Sequence, residues 1–103
     1  MITVGYPVLS PMLLTDVLHV IRRDPLRQTL VLDDMMYVRL QCWLEALQSL
    51  AVEDARVALL WQHLADLSFE PHYNEMTGEP EWMLPAEWLQ RFKRARYYLS
   101  EMV

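Results

Sequence analysis

The sequence predicts an all-α fold, a small bundle of about four helices formed by a single domain over residues 1–103. Apolar residues recur at helical spacing in four stretches, only two glycines occur, and a helix-start signal precedes most of these stretches. The apolar fraction of 53% is sufficient for one hydrophobic core. We expect at most a minor β element, near the N-terminus at residues 2–4 or within the 69–84 connection.

The first helix is expected over residues 11–23. Ser10 followed by Pro11 is a helix-start signal, because the serine hydroxyl caps free N–H groups and proline fits the first helical position. Asp24-Pro25 is expected to end the helix. Its apolar face comprises Leu14, Val17, Leu18 and Ile21.

Two further helices are expected over residues 34–49 and 53–68. A single helix across both ranges would be too long for a globular domain, and Asp54 stands where the apolar pattern requires an apolar residue. The chain should therefore break between them. The first apolar face comprises Met36, Leu40, Trp43, Leu47 and Leu50, and the second comprises Val57, Leu60, Trp61, Leu64 and Leu67. The preceding residues 25–33 fit either a strand or a helix, and the pattern does not decide between them.

The last helix is expected over residues 85–100, opened by Pro85. Its apolar face comprises Trp88, Phe92, Ala95 and Leu99. The connection before it, residues 69–84, is long and contains two prolines and Gly78, so it is a hairpin, a lid or a binding loop. We find no internal repeat in the sequence.

Charge is distributed unevenly along the chain. The net charge is −5, whereas residues 85–103 carry +2 and the first 84 residues carry −7. The basic residues of the last helix, accompanied by two tyrosines, make a nucleic-acid-associated regulator the alternative function. These residues are Arg91, Lys93, Arg94 and Arg96. Their positions around the helix are also those of an ordinary amphipathic helix, and the acidic total disfavours binding through phosphate neutralisation.

Residues with catalytic or metal-binding chemistry are sparse. His63, Asp66 and His72 are the only candidate cluster, and their spacing matches no metal-binding motif. Cys42 is expected in mid-helix, where nothing lowers the pKa of its thiol, so it should act as a small apolar residue. Two glycines cannot form a phosphate-binding loop or a nucleophile elbow. We expect no enzyme activity, no metal and no cofactor.

The sequence predicts a cytoplasmic protein. A lone cysteine is typical of a reducing compartment. The N-terminus lacks the basic and apolar regions of a signal peptide, and no apolar run is long enough to cross a membrane.

Aromatic and methionine side chains are unexpectedly abundant in the 69–84 connection. The four helical faces already supply a core, and residues of these types are enriched in protein–protein interfaces. We therefore predict a small binding, adaptor or regulatory protein that contacts another protein or a second copy of itself as a homodimer. The predicted contact residues are Tyr73, Met76, Trp82 and Met83. The competing interpretation is that residues 82–84 cover the helical core.

Overall fold

The computed structural model describes residues 11–102 and contains, within them, four helices and one four-stranded antiparallel sheet. The helices are α1 (Pro11–Val20), α2 (Asp34–Ala51), α3 (Ala55–Gln62) and α4 (Trp88–Met102). The strands are β1 (Arg22–Asp24), β2 (Thr29–Asp33), β3 (Glu70–Asn74) and β4 (Glu79–Pro85). The strand predicted at residues 2–4 and the predicted Ser10 cap lie outside the described residues.

The all-α prediction is wrong, because the protein has an α+β fold. The expected first helix ends at Val20, and its last three predicted residues belong to β1 or precede it. The ambiguous 25–33 segment contains β2, and the 69–84 connection is a β-hairpin. The two strands of this hairpin lack alternating apolar residues and contain prolines, which hides them from a search by period.

The prolines of β4 stand where the sheet tolerates them. β4 pairs with β3 through residues 79–83 and with β2 through residues 81–85. Pro80 and Pro85 therefore each lie where β4 has a neighbouring strand on one side only, so a missing N–H need not remove a ladder hydrogen bond.

The sheet has the order β1-β2-β4-β3, built from two hairpins whose inner strands pair with each other. Both hairpins have a four-residue turn of the same construction. Asp24 Oδ1 accepts hydrogen bonds from the N–H groups of residues 26 and 27, and Asn74 Oδ1 accepts them from residues 76 and 77. The last turn residue has a positive φ in both, 54° at Gln28 and 73° at Gly78.

The order of elements repeats as helix, two strands and helix in each half of the chain. α1 packs on α4 and α2 packs on α3, and the β2–β4 pairing is symmetric about the Val31–Met83 pair. Buried residues of α2 and α4 correspond at a constant separation of 52 positions. The corresponding pairs are Met36 and Trp88, Leu40 and Phe92, Trp43 and Ala95, and Leu47 and Leu99. The halves thus share a pattern of burial without sharing residue identities.

The core lies between the helices and one face of the sheet. Leu30, Leu32 and Leu84 from that face pack in one cluster with buried residues of all four helices. The break between the second and third predicted helices is confirmed, because α2 ends at Ala51 and α3 begins at Ala55. Asp54 caps α3 by accepting a hydrogen bond from the N–H of Arg56.

Candidate functional site

A groove of about 510 Å³ lies between α1 and α2 on the outside of the helical layer. Its lining is mostly apolar and comprises Met12, Leu13, Asp16, Val38, Arg39, Cys42, Trp43 and Ala46. Clefts of this size, with an apolar lining and few polar groups, are the usual form of binding sites. This groove is therefore our candidate functional site.

Two separate faces of α2 are apolar, and this arrangement produces the groove. One face is buried in the core through residues such as Leu40 and Leu47. The other carries Met35, Val38 and Cys42, at spacings of three and four residues, and all three are exposed. Exposure reaches 78% for Met35 and 51% for Val38. From Met35 to Ala46 this outer face spans about 17 Å, close to three helical turns.

The polar groups at the groove are few. Arg39 Nη2 and Asp16 Oδ2 form an ion pair of 3.1 Å that joins α2 to α1. Trp43 is buried in the groove wall, and its indole N–H has no hydrogen-bond partner among the described residues. A buried donor without an acceptor lowers stability, and this nitrogen is too deeply buried to be a polar contact for an occupant of the groove.

The structure divides the four predicted contact residues between different places. Tyr73 and Met76 are exposed near the tip of the β3–β4 hairpin, with Met76 96% exposed. Trp82 is half-buried on the core-facing side of β4, where its ring stacks on Tyr37 and its indole N–H donates to Asp34. Met83 is half-buried on the opposite face of the sheet, and its sulfur accepts a contact from Arg27. The four side chains do not form one patch.

The four basic residues of α4 are not equivalent. Arg91 makes a bidentate ion pair with Asp66, at 3.0 and 2.7 Å, and donates to the carbonyl of His63. Its guanidinium also lies 3.8 Å from the ring centroid of Trp88. Arg91 therefore fixes the end of α3 onto α4, since it satisfies a carbonyl after that helix. Lys93 and Arg94 are exposed, and Arg96 is half-buried.

The Asp66–Arg91 pair also changes the ionisation of both groups. The hydrogen bonds from Arg91 lower the pKa of Asp66 below its usual 3.8. The same contact raises the pKa of Arg91. Asp66 is thus hydrogen-bonded to Arg91. His72 lies next to Arg27, on the face of the sheet opposite the core. The structure does not bring His63, Asp66 and His72 together as a ligand set.

Residues 11–102 contain no group of three or more His, Cys, Asp or Glu side chains placed to hold a metal ion. Among the helices in that range, none has the length and hydropathy needed to cross a lipid bilayer. Comparisons with protein-family models, curated proteins and solved structures give no match to this chain.

Sequence reasoning overlooked the groove residues Met12 and Val38. A signal for them was present, because Met35, Val38 and Cys42 follow the i, i+3, i+7 spacing of a helical face beside the core face of α2. Only the packing of α1 alongside α2 turns that face into a groove.

Proposed function

We propose that the protein is a small binding or adaptor protein whose α1–α2 groove receives an amphipathic helix of a partner protein. The exposed apolar face of α2 is the observation that carries this proposal. Met35 and Val38 leave apolar surface in water on a helix whose core side is already filled, and exposed apolar surfaces of this kind are typical of interaction sites.

The shape of the groove favours a helix as the occupant. On α2 the groove lining runs from Val38 to Ala46, about 12 Å or a little over two helical turns, and α1 flanks it. This is the geometry of the helix-in-groove mode of recognition. Such a partner would present apolar residues at positions i, i+3, i+4 and i+7.

The charge of the protein favours a partner helix with a basic polar face. The first 84 residues carry a net −7, and the exposed Glu45 lies next to the groove residue Ala46. Arg39 at the groove is already paired with Asp16. Complementary charge would speed association and disfavour acidic partners.

A binding assay with a designed peptide tests this proposal. The probe is a labelled amphipathic helix of about 15 residues, long enough to cover the groove, with leucine on one face and lysine on the other. We expect micromolar binding by fluorescence anisotropy, and no binding of a peptide with the same composition in scrambled order. Val38→Lys should weaken binding of the peptide at least tenfold. The substitution removes an apolar contact in the groove and introduces a positive charge that repels the lysines of the peptide.

Leu59→Lys is the matched control, because Leu59 is 50% exposed on α3 and does not line the groove. Equal binding of the scrambled peptide, or equal weakening by the two substitutions, would contradict the proposal. Dimerisation that is lost in Val38→Lys would instead assign the groove to a second copy of the chain. Sedimentation of both variants distinguishes that outcome.

We propose a cytoplasmic location for this activity. Cys42, the single cysteine of the chain, is an exposed free thiol at the groove, and such a thiol persists in a reducing compartment.

A further inference from the structure

A cleft of about 440 Å³ lies against the face of the sheet opposite the core. It is distinct from the α1–α2 groove, since the two have no lining residue in common. Charged side chains from both hairpins surround an aliphatic floor. The residues that matter are Arg22, Arg27, Val31, His72, Asn74 and Glu81.

The floor of the cleft is apolar although the surrounding side chains are charged. Val31 is only 4% exposed, yet it does not belong to the core cluster. Its neighbours across the sheet are Arg22 on one strand and the half-buried Met83 on the other. A ligand in the cleft would therefore contact apolar groups below it and charged groups around it.

Two of the charged groups in the cleft satisfy each other. Arg22 forms an ion pair with Glu81, and the same carboxylate accepts a hydrogen bond of 3.2 Å from the Asn74 amide. Glu81 is thereby held by two donors. The Glu81 carboxylate therefore does not form an ion pair with Arg27.

Arg27 has only weak partners in the cleft. Its Nη1 lies 3.1 and 3.2 Å from the two ring nitrogens of His72 and 3.4 Å from the sulfur of Met83. The nearest carboxylate, Asp24, is 3.8 Å from its Nε. A guanidinium binds most strongly to a carboxylate that accepts two parallel hydrogen bonds, as Asp66 does with Arg91. No described residue offers Arg27 that arrangement.

We propose that this cleft binds a small organic carboxylate. Arg27 holds the carboxylate group in place of His72, and Val31 contacts the apolar body of the ligand. A carboxylate suits the cleft better than a phosphate, because Asp24 and Glu81 also line it and repel a second negative charge.

NMR titration with benzoate tests the proposal, with benzamide as the uncharged probe of the same shape. Benzoate should cause saturable shifts of the Val31 and His72 amides, which both belong to the cleft, with a Kd in the millimolar range expected for so small a ligand. Benzamide should cause none. Arg27→Gln should weaken benzoate binding at least about tenfold, which is the usual effect of losing a charge-assisted hydrogen-bonded pair.

Lys93→Gln is the control, since it removes the same charge from an exposed position on α4. Arg27 is exposed in a turn, so its variant should fold, and the dispersion of the same spectra verifies this. Equal shifts with benzamide, unchanged affinity in Arg27→Gln or shifts confined to the α1–α2 groove would overturn the proposal. Tighter binding of inorganic phosphate than of benzoate would overturn the choice of a carboxylate.

Discussion

The indole of Trp82 stacks on the phenol ring of Tyr37, with ring centroids 3.8 Å apart and planes 10° from parallel. The indole N–H also donates to Asp34 at 2.9 Å. Both partners belong to the first turn of α2, so this contact joins β4 to the start of that helix. Phe69 packs edge-on against the same Tyr37 ring, with ring centroids 5.0 Å apart.

Trp82→Ala should lower the free energy of unfolding by about 3 kcal/mol, toward the low end of the range for buried aromatics because Trp82 is half-buried. Trp82→Phe, which keeps a ring but loses the donor, should cost about 1 kcal/mol. Urea denaturation measures both. Met76→Ala is the control, since Met76 is almost fully exposed and its replacement should change stability by less than about 0.5 kcal/mol. Equal stability of the Trp82→Ala variant and the unmodified protein would show that Trp82 does not join β4 to α2.

The pair between Asp66 and Arg91 should make stability depend on acidic pH. Because the pKa of Asp66 is lowered in the folded protein, its stabilising effect is complete above the unfolded value near 3.8. It is lost as the pH falls through the lower folded value. Carboxyl NMR should show Asp66 titrating below 3.8, and Arg91→Met should raise that pKa toward its usual value. The same pKa in both proteins would contradict the role of the pair.

Both hairpin turns should be more stable with glycine at their last position. Gln28 adopts a left-handed conformation that non-glycine residues disfavour. Gln28→Gly should therefore raise the free energy of unfolding by about 0.5–1 kcal/mol after the greater freedom of the unfolded chain is included. Gln28→Ala is the control and should have little effect. A loss of stability in Gln28→Gly, measured by thermal unfolding, would contradict this reading of the turn.

The second turn supplies the converse substitution. Gly78→Ala should lower stability by about 1 kcal/mol, because φ is 73°. Crowding is not the cause, since an added Cβ would lie 3.5 Å from the Tyr73 hydroxyl, an ordinary contact. An unchanged melting temperature in Gly78→Ala would show that the turn relaxes to another conformation.

The N-cap of α2 should be measurable by substitution. Asp33 Oδ1 accepts a 2.7 Å hydrogen bond from the N–H of Met36. Asp33→Ala should cost about 1 kcal/mol, while Asp33→Asn should retain most of the cap. Glu53→Ala, an exposed acidic residue between α2 and α3, is the control for charge. A similar loss in both alanine variants would assign the effect to charge and not to capping.

The helices were largely predictable, because their apolar periodicity and their caps are local properties of the chain. Met36, Leu40, Trp43 and Leu47 are buried as their spacing predicts, and Asp33 and Asp54 cap α2 and α3. The strands were not predictable in this way. β1 consists of Arg22, Arg23 and Asp24, whose charges fit the end of a helix equally well.

The candidate sites depended on tertiary packing even more strongly. Trp82 and Met83 are adjacent in sequence, yet they lie on opposite faces of the sheet because successive strand residues alternate. The prediction of one contact patch in residues 69–84 assumed a loop in which neighbours share a surface. The sequence likewise identifies Arg91 as a basic residue, but only the fold shows that it pairs with Asp66, which follows α3.

The sequence by itself determined the middle of each helix, which helical faces are apolar and that the first 84 residues are acidic. These follow from spacing and composition, which need no knowledge of distant residues. The sequence misplaced some helix ends, since α3 ends at Gln62 and not at residue 68, and Pro85 belongs to β4 while α4 begins at Trp88. Tertiary structure decided the sheet, because the charged β1 and the proline-containing β4 become strands only through hydrogen bonds to β2. It also decided both candidate sites. The α1–α2 groove and the cleft on the outer face of the sheet, which contains Arg27, each combine side chains that are distant in sequence.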